Sequence, residues 1–124
     1  MALLIAVEYN CIEIVELLLS IPELDVNLQD KYGRTALMFA SRSGRIEIVK
    51  LLVSRPELNA NPQDANGSTA LIIASSWGYN DIVKLLLSIP DIDVNLRNAY
   101  GRTALTYASH NNHDEIVSLL ENHI

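Results

Sequence analysis

Apolar and polar positions fall in blocks that return every 34 residues. Ile48-Val49-Lys50-Leu51-Leu52 recurs as Ile82-Val83-Lys84-Leu85-Leu86 and again as Ile116-Val117-Ser118-Leu119-Leu120. Within each block the apolar side chains sit at helical spacing, with one polar residue between them. A second phrase keeps the same period: Gly33-Arg34-Thr35-Ala36-Leu37, Gly67-Ser68-Thr69-Ala70-Leu71 and Gly101-Arg102-Thr103-Ala104-Leu105. A fixed period of this length marks a stacked repeat. In such an array each unit contacts only its neighbours, and the core grows with the number of copies.

One period, residues 30–63, predicts a turn, two helices and an extended return. Asp30-Lys31-Tyr32-Gly33 reads as a turn, since Asp can accept from its own following backbone and Gly supplies a positive φ. Thr35 is placed to cap the first helix, Ala36 to Ser43. Gly44 closes it in the left-handed conformation, and the equivalents of Gly44 are Asn10, Gly78 and Asn112. Gly and Asn are the residues that tolerate that helix end, so one constraint holds in all four copies. A second helix runs from about Arg45 to Ser54, with Ile48, Val49, Leu51 and Leu52 as its expected buried stripe. Pro56 is expected to stop it, as are Pro22 and Pro90 in their copies. Leu58 to Gln63 then returns extended to the next turn.

The expected repeats are residues 1–29 (partial, beginning inside a first helix), 30–63, 64–97 and 98–124, together one domain of about four helix pairs. The start, Met1-Ala2-Leu3-Leu4-Ile5-Ala6, is very apolar, whereas terminal repeats normally carry a polar outer face. Two expectations follow: the chain is a piece of a longer array, or copies stack end to end.

Composition narrows the function classes. The chain has 124 residues, 49% of them hydrophobic, and a net charge of −6. That balance speaks against non-specific binding to nucleic acid or anionic membrane, which needs clustered positive charge. The charge is uneven: residues 1–29 hold Glu8, Glu13, Glu16, Glu23 and Asp25 with no Lys or Arg. Residues 30–63 are net basic, with Lys31, Arg34, Arg42, Arg45, Lys50 and Arg55. Cys11 is the lone cysteine, which excludes an intrachain disulfide and fits a reducing, intracellular and cytoplasmic setting. Met1–Val7 is too short and lacks the basic start of a secretory signal, and no stretch is long and apolar enough to span a membrane.

The T-x-L phrase of the first helix and the I-V-x-L-L phrase of the second, with a turn before and an extended return after, resemble the ankyrin repeat. Asp30, Gly33, Thr35, Leu37, Ala40, Gly44, Ile48, Val49, Leu51 and Leu52 match the family pattern, and Asp25-Val26-Asn27 and Asp93-Val94-Asn95 match its ending. The resemblance covers essentially the whole chain and implies an all-α, ankyrin-type solenoid with short β-turn fingers. There are departures. The family's T-P-L-H has Ala36, Ala70 and Ala104 for its Pro, and Leu4, Met38, Ile72 and Thr106 for its His. In the family that His ties adjacent repeats, so here the tie is expected to rest on Thr and on packing. Asn98 replaces the turn Asp, and Pro62 replaces Leu28 and Leu96.

The resemblance also implies a non-catalytic scaffold that docks a protein on a concave face made of turn tips and first-helix surfaces. Carried over, that face comprises Lys31, Tyr32, Arg34, Arg42, Asn66, Ser68, Ser76, Trp77, Tyr100, Arg102 and His110. Tyr, Trp and Arg are the side chains enriched at binding hot spots. Asn27 and Asn95 stand where ankyrin-like repeats can be hydroxylated. Other chemistry is thinly supported. His110 and His113 have a spacing that could hold a metal, but no Cys accompanies them and they cross a helix end. Asp81, Asp114 and Glu115 suit the starts of second helices better than a catalytic pair. No phosphate-cradling glycine loop or Ser/His/Asp set is present, so no enzyme activity and no cofactor are expected.

Overall fold

The computed structural model describes residues 1–123 and consists of eight short helices. They are α1 (Ala2–Glu8), α2 (Ile12–Leu19), α3 (Ala36–Arg42), α4 (Ile46–Val53), α5 (Ala70–Trp77), α6 (Asn80–Leu87), α7 (Ala104–His110) and α8 (Asp114–Glu121). No strand occurs among the described residues. Helices α1, α3, α5 and α7 pack in sequence as one layer, and α2, α4, α6 and α8 as a second. Each helix also packs on its partner within the pair, which gives a two-layer stack of four pairs.

Local chemistry fixes the helix ends. The hydroxyls of Thr35, Thr69 and Thr103 accept from the N–H groups of Met38, Ile72 and Thr106 at 3.1–3.3 Å, each occupying one orphan donor. Asn10 and Asn112 adopt φ of 57° and 60°, matching the positive φ of Gly44 and Gly78. The second helices end differently from the expectation. α4 stops at Val53, three residues before Pro56. The Ser54 hydroxyl donates to the Leu51 carbonyl at 2.6 Å, and Ser20 and Ser88 repeat the contact on Leu17 and Leu85. Serine therefore satisfies a terminal carbonyl before the proline is reached.

The core lies between the layers. Ile48, Val49 and Leu52 are wholly buried, as are Ile82, Val83 and Leu86. Leu51 and Leu85 are only half-buried, which corrects the expected stripe. At about 100° per residue, position 51 sits about 105° from the mean direction of 48, 49 and 52 and reaches the helix flank.

Successive pairs are tied through the return segments and the fingers, and the capping threonines bond within their own helices. Asn27 donates to the Glu57 carbonyl at 2.9 Å and accepts from Asn59 N–H at 2.8 Å. Asn61 repeats this one pair on, with the Asp91 carbonyl and Asp93 N–H, both at 2.8 Å. Asn95 makes no such bridge among the described residues. The fingers are joined by Ala65 N–H to the Tyr32 carbonyl and Ala99 N–H to the Asn66 carbonyl, each at 2.9 Å. The family's tie thus passes here to asparagine side chains, finger backbone and packing.

Candidate protein-binding face

The first residue of each finger organises its backbone. Asp30 Oδ1 accepts from Tyr32 N–H and Arg34 N–H, each at 2.9 Å. Asp64 does the same for Asn66 and Ser68, and Asn98 for Tyr100 and Arg102. Asn98 is therefore an adequate substitute for Asp in this role. Its amide also donates to the Tyr107 hydroxyl at 2.7 Å. Fingers and inner helices together make one continuous surface.

Between the second and third pairs that surface opens into a groove of about 430 Å³. Six residues of the sequence-derived set line it: Tyr32, Arg34, Arg42, Asn66, Ser76 and Trp77. Met38 and Ile73 form its apolar part, and Asp64 and Ala65 its finger side. None of these four was singled out from sequence, although Met38 and Ile73 lie on first helices whose outward side was. Lys31 lines a neighbouring groove of about 340 Å³ between the first two pairs, with Leu4, Ile5, Glu8 and Phe39. Ser68 is half-buried in the turn, and Tyr100, Arg102 and His110 lie on the fourth pair, outside both grooves.

The arginines differ in freedom. Arg34 is half-buried; its Nε meets Asp30 Oδ2 at 2.8 Å, and its guanidinium lies 4.9 Å from the Tyr32 ring and 4.8 Å from that of Phe39. Partial burial pushes the Asp30 carboxyl up, but the N–H groups of Arg34 and Tyr32 and the Arg34 guanidinium outweigh it and hold the group below its ordinary 3.8. Arg34 thus braces the finger as well as facing the groove. Arg42 is exposed, with only the Phe39 ring at 5.8 Å as a described partner. Arg102 lies 5.7 Å from both Tyr100 and Tyr107.

The weaker candidates have structural partners. His113 starts α8 and its Nε2 lies 3.3 Å from the Ser76 carbonyl, while His110 is exposed. Among the described residues no three His, Cys, Asp or Glu gather as metal ligands. Asp81, Asp114 and Glu115 occupy first turns of α6 and α8. Glu115 also pairs with Lys84 at 3.1 Å, which holds that ammonium above its ordinary 10.5. Cys11 is a free thiol at the start of α2. A larger cavity of about 660 Å³ lies at the return loops around Pro56 and Pro90. Its cation, Arg55, is already paired with Glu57 and bonded to the Leu19 carbonyl. No helix of the described residues is long and apolar enough to cross a membrane.

None of the curated proteins matches the chain. The family model described as "Ankyrin repeats (3 copies)" matches residues 3–98 and 57–124. Ankyrin repeats are generally protein–protein interaction modules. With that match over nearly its whole length, and four stacked helix pairs joined by capped fingers, the chain belongs to the ankyrin-repeat family.

Proposed function

We propose that residues 1–124 act as one non-catalytic docking domain, a scaffold that binds a partner protein on the finger and inner-helix face in a reducing, cytoplasmic setting. The binding residues are Lys31, Tyr32, Arg34, Arg42, Asn66, Ser68, Ser76, Trp77, Tyr100, Arg102 and His110. One observation carries the reading. Beyond residue 28, the large apolar side chains exposed among the described residues are Tyr32 (50%), Trp77 (59%) and Tyr100 (76%), and all three stand on this face. Exposed aromatics with arginine beside them have hot-spot composition. From the second pair onward every other large apolar side chain among the described residues is at least partly buried, so the exposure is confined to this face.

The test is affinity capture from cell lysate with the full chain and a Tyr32/Arg42/Trp77/Tyr100→Ala variant, both checked for helical content. Arg34 is left intact because it braces the finger. Partners lost with the variant support the reading; partners retained by a folded variant overturn it.

A second reading has its own observation. Ile5, Ile14 and Leu17 of the first pair are 50–68% exposed, whereas Phe39 and Ile48, at the same repeat positions as Ile5 and Ile14, are at most 9% exposed. That face supports self-association, with copies stacked head to tail. The surplus of acids in residues 1–29 and 98–124 opposes it by like-charge repulsion. Light scattering across concentration at low and high salt decides: a constant monomer mass at both removes this reading.

A further inference from the structure

The charges on the concave face identify the chemistry of the partner, given the reading of that face as the docking surface. Four of the nine Lys and Arg are ion-paired: Arg34 with Asp30, Lys50 with Glu47, Arg55 with Glu57 and Lys84 with Glu115. Lys31, Arg42, Arg45, Arg97 and Arg102 have no carboxylate in range among the described residues. Three of these five, Lys31, Arg42 and Arg102, stand on the concave face. Those three unpaired cations lie along one side of a molecule whose net charge is −6.

The groove between α3 and α5 adds the apolar half of the pattern. Met38 and Ile73 lie within it and Trp77, more than half exposed, stands beside them at the end of α5. Arg42 is the last residue of α3, so it marks the end of the groove away from the fingers. Asp64, the groove's own carboxylate, is in the finger, and its Oδ1 is held by two backbone N–H groups. Negative charge is therefore disfavoured beside Asp64 in this groove's own finger and favoured at the Arg42 end, while the fourth finger, organised by Asn98 in place of Asp, carries the unpaired Arg102.

We propose that this groove receives an extended, acidic peptide segment of the partner protein, with one apolar side chain against Met38, Ile73 and Trp77 and a carboxylate on Arg42. A second carboxylate has Arg102 to meet. Two interhelix spacings of about 8–10 Å each, with an inner helix about 10 Å long, put Arg102 about 20 Å from Arg42 on the diagonal. At about 3.3 Å per residue, an extended chain covers that in about six residues. The aromatic contact supplies the anchor, and the cations supply selection against basic or neutral segments.

The experiment pans a random dodecapeptide display library on the full chain, on Arg42→Glu and on Lys50→Glu. The two variants change net charge equally; Lys50 lies on the outer layer, where its exposed pair with Glu47 is lost as well. On the unaltered chain and on Lys50→Glu, enriched peptides should carry Asp or Glu flanking an apolar residue. They should shift the fluorescence of Trp77, the only tryptophan, and weaken about tenfold on Arg42→Glu and at high salt. Enrichment of basic or uncharged peptides, binding that leaves Trp77 unmoved, equal loss in both variants, or no enrichment would each overturn the proposal. If lysate partners still depend on the concave residues in that event, the docking face stands with another partner chemistry. If they do not, both readings fall together.

Discussion

Asn61→Ala isolates the device that locks one helix pair to the next. The Asn61 side chain makes two hydrogen bonds across the pair boundary, to the Asp91 carbonyl and from the Asp93 N–H, both at 2.8 Å. A neutral hydrogen bond contributes about 0.5–1.5 kcal/mol net of the bonds to water it replaces, so removing two costs about 1–3 kcal/mol, the upper end applying where the freed groups stay dry. The site is open to water, which can replace both partners, and the expected loss falls to about 1–2 kcal/mol. Asn27→Ala breaks the equivalent bridge one pair earlier and should cost the same. Asn95 is the control, because it has the same repeat position but no cross-pair side-chain bond among the described residues. Asn95→Ala should stay within about 0.5 kcal/mol of the parent. Urea denaturation followed by far-UV circular dichroism measures all three. Asn61 joins the middle pairs, so Asn61→Ala should also lower the m-value as the two halves begin to unfold separately. The reasoning is refuted if Asn95→Ala costs as much as Asn61→Ala, or if Asn61→Ala costs nothing.

Three further outcomes follow from the same geometry. Leu86→Ala removes a wholly buried side chain and should cost about 2–5 kcal/mol, while half-buried Leu85→Ala should cost about 1–2; equal losses in thermal melts would contradict the placement of the stripe. Gly67→Ala should cost about 1–3 kcal/mol, since its φ is +76° and a Cβ would lie 2.9 Å from Ala99 N and Asn98 Cα. Gly101→Ala shares the φ but meets no atom within 4 Å, so it should cost clearly less, and the reverse order would refute the close-approach argument. Asp30→Asn keeps the turn, as Asn98 does, but removes the ion pair with Arg34. The folded-state pKa of Asp30 is depressed, so the ionic contribution is present above pH 3.8 and is lost as pH falls through the lower folded value. The stability gap between parent and variant should therefore close in acid; a gap that widens would show the sign to be wrong.

Much of the architecture was readable because it is local. Thr35, Thr69 and Thr103 cap helices that begin at the next residue, and Asp30, Asp64 and Asn98 organise turns within four residues of themselves. The left-handed ends at Asn10, Gly44, Gly78 and Asn112 are properties of single residues. Several features escaped, each for its own reason. Asn59-Ala60-Asn61 lacks the Asp-Val of its sister copies, so the Asn61 bridge was not marked. The apolar lining of the groove, Met38 and Ile73, comes from two different copies and exists only once α3 and α5 are side by side. Arg34 read as a free binding cation until its pairing with Asp30 and its place between two aromatic rings were in view.

The sequence by itself determined the period, the helix pairs, the caps and the turns, since each depends on residues within about one helical turn. It also determined that the molecule is acidic with a basic stretch in residues 30–63. Tertiary structure decided what identical letters do. Asn61 bridges two pairs and Asn95 does not; Ile48 is sealed and Ile14 is half exposed. It likewise decided that Lys84 meets Glu115 of the next pair, while Lys31, Arg42 and Arg102 meet no carboxylate among the described residues. Burial, the asparagine bridges and the Lys84–Glu115 pair depend on neighbours 30 or more residues away, and a repeat unit's own sequence does not contain its neighbours.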